Sequence, residues 1–312
     1  MSAIIEKNAI GLLLLVFMAG CRPAPAPPAT LSQDWGQQKT FDYHGIKINY
    51  YEAGQAPPVL LLHGFVACAY TWRHLIPPLA AEHRVFTLDL KGHGYSDRPA
   101  DGHYAMSDQA EMVADFIQCQ SRRHLVIMGH SMGGLIALMT YLKLRDADPG
   151  GINKLVLIDS PGYPQKLPWG LRLVKIPGLN RVLSPLLSTR FASALVLKKC
   201  YYNKEAVTEE QIDTYAYFGS LPGTAAVVRQ TTRQLVPAKN EIEALIARYR
   251  TIKVPVLIIW GKEDDVVPLE VGKKFQRDIP KSQLIVLPRC GHIPLEEEPP
   301  ATREAILDFL KR

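Results

Sequence analysis

Gly129-His130-Ser131-Met132-Gly133 is the stretch of this chain whose residue types and spacing speak most directly of chemistry. It has the form G-x-S-x-G. An apolar run, Leu125-Val126-Ile127-Met128, precedes it, and a helix-like run from Leu135 to Leu144 follows. A strand that turns sharply into a helix strains its central residue and lifts the hydroxyl into a cleft, and small flanking residues let the turn close. The helix N-terminus leaves backbone N–H groups free to meet a developing oxyanion. Ser131 is therefore a candidate nucleophile. The plainer alternative is a glycine-rich turn that packs a helix closely on a sheet.

A nucleophilic serine needs a base, and an acid to orient that base. Val256 to Trp260 is a strand candidate that runs into Gly261-Lys262-Glu263-Asp264-Asp265, with Pro268 opening the next helix. Gln283 to Leu287 is another, and Cys290-Gly291-His292 follows it. Acid and histidine thus come after the serine, in the chain order such an elbow requires. His292 would take the Ser131 proton and pass it to the leaving group, while Asp264 would fix the imidazole tautomer. Asp265 adjoins Asp264, and Asp159 ends a further strand candidate, Lys154 to Ile158, so three carboxylates compete for the role. Upstream, the strand candidate Val59 to Leu62 leads into His63-Gly64-Phe65. The backbone N–H groups of Phe65 and Met132 are the expected oxyanion donors. Asp89, after Val85 to Leu88, is read as ordering the loop from Gly92 to Asp97. His63, His93 and His130 are read as turn or supporting residues.

Five segments in register resemble the α/β-hydrolase superfamily: His63-Gly64-Phe65, Gly92-His93-Gly94-Tyr95-Ser96-Asp97, Gly129-His130-Ser131-Met132-Gly133-Gly134, Trp260-Gly261-Lys262-Glu263-Asp264 and Cys290-Gly291-His292. The segments run from His63 to His292, and the resemblance covers roughly residues 40 to 312. The resemblance implies an α/β fold: an eight-stranded, mostly parallel sheet with helices on both faces and a helical cap insertion. It implies catalysis with no cofactor or metal, and a triad of Ser131, Asp264 and His292. The family pattern favours Asp264 as the acid. Epoxide hydrolases and haloalkane dehalogenases of the superfamily carry Asp at the Ser131 position, so the chain resembles neither.

The elements that must hold these residues divide the chain. The core is expected over 40–160 and 240–312, with a cap over 161–239, where strand–helix alternation gives way to Leu, Pro and aromatic residues such as Trp169, Tyr201, Tyr202 and Tyr215. Such caps commonly carry the apolar substrate pocket and exclude water. Arg172, Lys175, Arg181, Arg190, Lys198 and Lys199 intersperse this material. A Ser-dependent carboxylic-ester hydrolase, working on a small ester or acyl substrate, is the expected activity. Carbon–carbon cleavage of the kind carried out by meta-cleavage-product hydrolases is the rival enzyme reading. A catalytically silent surface-binding lipoprotein is the rival of another class.

The N-terminus bears on location. Lys7 is followed by an apolar run from Ala9 to Met18 and by Ala19-Gly20-Cys21. The run is about half the roughly 20 residues that span a bilayer, so it fits a signal-peptide core. Met18-Ala19-Gly20-Cys21 resembles a bacterial lipobox, which implies a signal peptide over 1–20 and lipid attachment at Cys21. Residues 21–39, with Pro23-Ala24-Pro25-Ala26-Pro27-Pro28, read as a stiff extended tether. A lipoprotein of the cell envelope, on the periplasmic face of the outer membrane, is the expectation.

Hydrophobic residues make up 47% of the 312 and charged residues 21%, which is ordinary for a globular domain and excludes a disordered chain. The net charge of +6 suits an anionic membrane surface. No Arg/Lys stripe alternates with aromatics, so nucleic acid is not an expected partner. No Cys/His group has zinc-ligand spacing. Cys68, Cys119, Cys200 and Cys290 are all potential disulfide partners with no pairing legible in the sequence, although Cys119 reads as a buried thiol in an apolar helix and Cys290 as a packing residue.

Overall fold

Val59-Leu60-Leu61-Leu62 is apolar at every position, as a strand must be when both its faces are covered. Residues of this kind build the sheet in the computed structural model, which describes residues 27–28, 35–55, 57–120, 124–146, 148, 150–164, 188–235 and 237–312. The signal-peptide run, Cys21, most of the proline-rich tether and the stretch 165–187 with Trp169 lie outside them. Eight strands follow in chain order: β1 (Gln37–Tyr43), β2 (Ile46–Ala53), β3 (Pro58–Leu62), β4 (Arg84–Leu88), β5 (Leu125–His130), β6 (Ile152–Ile158), β7 (Val256–Gly261) and β8 (Ser282–Leu287). They form one sheet in the order β1-β2-β4-β3-β5-β6-β7-β8. β2 pairs antiparallel with β1 and β4, and every other pairing is parallel.

Successive residues of a strand face opposite layers. Leu60, Leu62, Ile127 and Ile258 enter a core shared with helices α2 (Met106–Cys119), α3 (Met132–Leu144) and α8 (Leu269–Asp278). Val59, Leu61, Val126, Met128 and Ile259 enter a second core, closed by α1 (Ile76–Ala80) and α10 (Pro299–Lys311). α3 is apolar on nearly every side, and Leu135, Ile136, Ala137, Leu138 and Leu142 are all buried, as befits a helix at the centre of the layer. Between β6 and β7 come α4 (Thr189–Cys200), α5 (Glu209–Ser220), α6 (Thr224–Gln234) and α7 (Lys239–Tyr249). A short helix, α9 (Pro294–Glu297), follows β8. No described helix is long and apolar enough to cross a membrane.

Two expectations need correcting. β1 begins at Gln37, so residues 37–39 belong to the sheet and not to the tether. Its hairpin with β2 turns at His44 and Gly45, both with positive φ (53° and 85°). Cys119 is exposed, because it ends α2 on the side turned from the sheet. Cys68 and Cys290 are buried, and all four described cysteines are free thiols.

Candidate active site

The turn from β5 into α3 sets Ser131 at φ 49°, ψ −122°, a conformation that side chains rarely adopt. Strain of this kind costs about 1–3 kcal/mol and persists only where the surroundings impose it. Here they do. The Ser131 N–H donates to the Ile158 carbonyl at 2.8 Å, and the Ser131 carbonyl accepts the Gly134 N–H at 2.9 Å to open the helix. A Cβ on Gly133 would lie 2.2 Å from the Leu62 carbonyl oxygen, so only glycine lets α3 start this close to β3.

The loop after β7 brings Asp264 to the site, and the loop after β8 brings His292. Glu263 and Cys290 tie the two loops together: the Glu263 N–H donates to the Cys290 carbonyl at 3.0 Å, and the Cys290 N–H to Glu263 Oε2 at 3.1 Å. His292 Nε2 lies 2.9 Å from Ser131 Oγ, and Nδ1 lies 2.7 Å from Asp264 Oδ2. Asp264 Oδ1 accepts the N–H groups of Val266 (2.7 Å) and Val267 (3.0 Å), which fix the carboxylate plane. With Asp264 ionised, Nδ1 carries the imidazole proton and Nε2 is free to accept one from Ser131.

The three competing carboxylates occupy different surroundings. Asp265 points outward and pairs with Lys199 at 2.5 Å. Asp159 is fully buried behind Asp264; its Oδ1 accepts the Gly261 N–H at 3.0 Å, and its Oδ2 has no partner among the described residues. Burial first, then the neighbouring Asp264, push the Asp159 carboxyl well above the usual carboxylate range. Of the two carboxyls, Asp159 is therefore the one that its surroundings press towards the protonated form. Ligand atoms of Asp159, Asp264 and His292 lie within 4.8 Å of one another. Three of the four carboxylate oxygens already accept N–H groups, so the donor set suits the imidazole better than a cation.

The loop after β3 closes the other side of Ser131. A Cβ on Gly64 would lie 3.2 Å from Ser131 Cβ, so the loop passes directly over the serine. The N–H groups of Phe65 and Met132 have no hydrogen-bond partner among the described residues. His63 pins this loop: Nδ1–H donates to the Gly64 carbonyl at 2.7 Å, and Nε2 accepts the Leu90 N–H at 3.0 Å. Asp89 does order the following loop, accepting the N–H groups of Ala69 (2.8 Å) and Tyr95 (3.0 Å).

Two further residues support the site: His130, which the sequence marks as a supporting residue, and Glu297, which it does not. His130 Nε2–H donates to the His292 carbonyl at 2.7 Å, and burial together with the His292 imidazole pushes the His130 ring down to about 3, so it stays neutral. Glu297 accepts backbone N–H groups from the His292 loop and from the segment after α4. Its only sequence signal was an acidic run following the histidine. A cavity of about 440 Å³, bounded by Trp35, Tyr70, Arg73, Gln211 and Glu296, is separate from this site: Ser131, Asp264 and His292 do not line it.

A largely parallel sheet covered on both faces, with a strained serine on a strand-to-helix turn beside a histidine and a carboxylate, defines a hydrolase. A family model described as the alpha/beta hydrolase fold matches residues 57–299, and the chain belongs to that family. The chain is 30% identical over 277 residues to the uncharacterized hydrolase YugF of Bacillus subtilis, covering 88% of this chain and 97% of that one. It is 30% identical over 273 residues to the 2-hydroxy-6-oxo-6-(2'-aminophenyl)hexa-2,4-dienoic acid hydrolase of Metapseudomonas resinovorans, covering 86% and 89%. Among solved structures, it is similar to a serine hydrolase involved in carbazole degradation, at 26% identity and a TM-score of 0.72, covering 88% and 98%.

Proposed function

We propose that the protein is a serine hydrolase of carboxylic esters, with Ser131 as nucleophile, His292 as general base and acid, and Asp264 as the orienting acid. The observation that carries this reading is the chain of hydrogen bonds Ser131–His292–Asp264, at 2.9 and 2.7 Å. As Oγ attacks the ester carbonyl, its proton passes to His292 Nε2, and Asp264 stabilises the imidazolium. The unpartnered N–H groups of Phe65 and Met132 receive the oxyanion. His292 then protonates the departing alcohol, and a water deprotonated at the same Nε2 cleaves the acyl-enzyme. None of these steps calls for a cofactor.

The 30% identity to a dienoic acid hydrolase favours a second reading, cleavage of a carbon–carbon bond in a dienoate ketone by the same residues. A fluorophosphonate probe tests what the two readings share. Labelling of the wild type that vanishes in Ser131→Ala supports a serine hydrolase; a folded wild type that stays unlabelled overturns both. Turnover of p-nitrophenyl esters of rising chain length then supports the ester reading. Turnover of a dienoate ketone alone reverses the order.

The lipobox-like Met18-Ala19-Gly20-Cys21 supports a membrane tether through Cys21, which would set the enzyme on the envelope surface. Processing that globomycin blocks, with acyl labelling lost in Cys21→Ser, is the expected result. Acyl labelling that persists in Cys21→Ser would refute the tether.

A further inference from the structure

The inserted helices reach the catalytic loop through the backbone. α4 ends on this loop, and the Cys200 carbonyl accepts the His292 N–H at 2.6 Å. At the other backbone group of the same residue, the His292 carbonyl accepts His130 Nε2–H at 2.7 Å. His292 is thus held at both backbone groups, once by the nucleophile turn and once by the insertion. A single carboxylate also joins the His292 loop to the segment after α4. Glu297 Oε2 accepts the Gly291 N–H at 2.6 Å and the Tyr202 N–H at 3.1 Å, while Oε1 accepts the Asn203 N–H at 2.7 Å. The approach is close enough that a Cβ on Gly291 would lie 2.2 Å from the Cys200 oxygen.

Charge-assisted bonds from a carboxylate to three N–H groups are among the stronger contacts a surface loop makes. Among the described residues, no other hydrogen bond ties Tyr202 or Asn203 to the loop that carries His292. A second contact between insertion and core, Lys199 with Asp265, lies on the neighbouring β7 loop and leaves the His292 backbone untouched.

We propose that Glu297 is a positioning residue, which locks the inserted helices onto the His292 loop so that Nε2 reaches Ser131 only while the insertion is docked. The proposal rests on the serine-hydrolase reading above. Docking the insertion and assembling the base then become one event, since undocking α4 removes the acceptor of the His292 N–H. A shift of about 1 Å in a reacting group lowers rates on the order of 100-fold, which sets the scale of the effect.

The test uses the full chain with Glu297→Gln, Glu297→Ala and Lys199→Ala. Four quantities are read: the maximal rate and the half-saturation of fluorophosphonate labelling, Tm, and backbone amide exchange at residues 201–203 and 291–292. Glu297→Gln keeps the shape but turns an amide NH2 towards an N–H donor. It is expected to lower the maximal labelling rate about 10-fold, and Glu297→Ala about 100-fold, with half-saturation changed less than about threefold. Exchange should quicken at the named amides. Lys199→Ala is expected to label within about twofold of wild type, since it loosens the insertion without touching the His292 backbone. Should Glu297→Ala fail to fold, the Gln variant decides. A labelled wild type whose rate and exchange are unaltered in Glu297→Gln overturns the positioning role alone. A Lys199→Ala variant as slow as Glu297→Ala overturns it too, because general docking would then explain both. A wild type that never labels overturns the hydrolase reading, and the positioning role with it.

Discussion

Asp264→Asn is expected to lower kcat about 10⁴-fold, while Asp265→Asn stays within about twofold of wild type and Asp159→Asn within about 10-fold. The first value follows from tautomer choice. An Asn side chain at 264 would keep its oxygen on the Val266 and Val267 N–H groups and turn its NH2 towards His292 Nδ1. Nδ1 would then accept, the ring proton would move to Nε2, and Ser131 Oγ would face a donor where it needs a base. Asp265 makes no contact with His292, and its pairing with Lys199 is half exposed to solvent, where such bonds contribute little. Asp159 is buried and pressed towards its protonated form, so an amide of the same shape keeps the bond from Gly261 N–H and removes little charge. Ester turnover with Tm for each variant decides the matter. A large loss in Asp159→Asn, with Asp264→Asn near wild type, would move the orienting acid to Asp159 and refute the assignment.

How far the residues themselves announce this arrangement depends on what each one contributes. β3, β5 and β7 could be read because both faces are covered, and double coverage writes a continuous apolar run such as Val59 to Leu62 or Val256 to Trp260. The β1–β2 hairpin escaped, because its strands are half exposed and alternate weakly. Its turn at His44-Gly45 was the available signal. Ser131, Asp264 and His292 stood out because each follows a strand in a required order. Spacing could not separate Asp264 from Asp265, since the direction in which a side chain leaves an irregular loop is a property of tertiary packing. The partners that Glu297 and His130 find were harder still. Both residues act on backbone N–H and C=O groups, which every residue carries, so nothing in the types of Cys200, Tyr202 or Asn203 marks the junction. The upward push on the Asp159 carboxyl likewise arises only when folding buries it behind Asp264.

Lowering the pH from about 7 to about 5 is expected to destabilise the fold steeply, by about 3 kcal/mol per pH unit near pH 5. The cause is three imidazoles that folding holds neutral. His63, His93 and His130 are all buried. Burial, with the nearby His93 ring, pushes His63 well below the usual histidine range. Burial lowers His93 to about 4, and burial with the adjacent His292 lowers His130 to about 3. The hydrogen bonds agree with this: His63 Nε2 accepts the Leu90 N–H, so a proton there would set two donors against each other. His93 Nδ1 lies 3.1 Å from the Lys91 carbonyl, while Nε2 has no described acceptor. In the unfolded chain each ring binds a proton near pH 6.5. Between there and about pH 4 the unfolded state therefore holds protons that the native state refuses, and stability falls as pH falls. Asp159 works in the opposite direction, because the native state keeps a proton there that the unfolded chain has released. His93 and His130 each leave about one proton unbound in the native state near pH 5, and these two protons give the slope stated. Urea midpoints followed across this range measure it, and His93→Gln should flatten the curve by about one proton. A midpoint that stays level from about pH 7 to about pH 5 would show that these rings are protonated in the native protein. The closed packing of His63 over the oxyanion loop, and of His130 beneath His292, would then be wrong, and with it the geometry that places Ser131 within reach of its base.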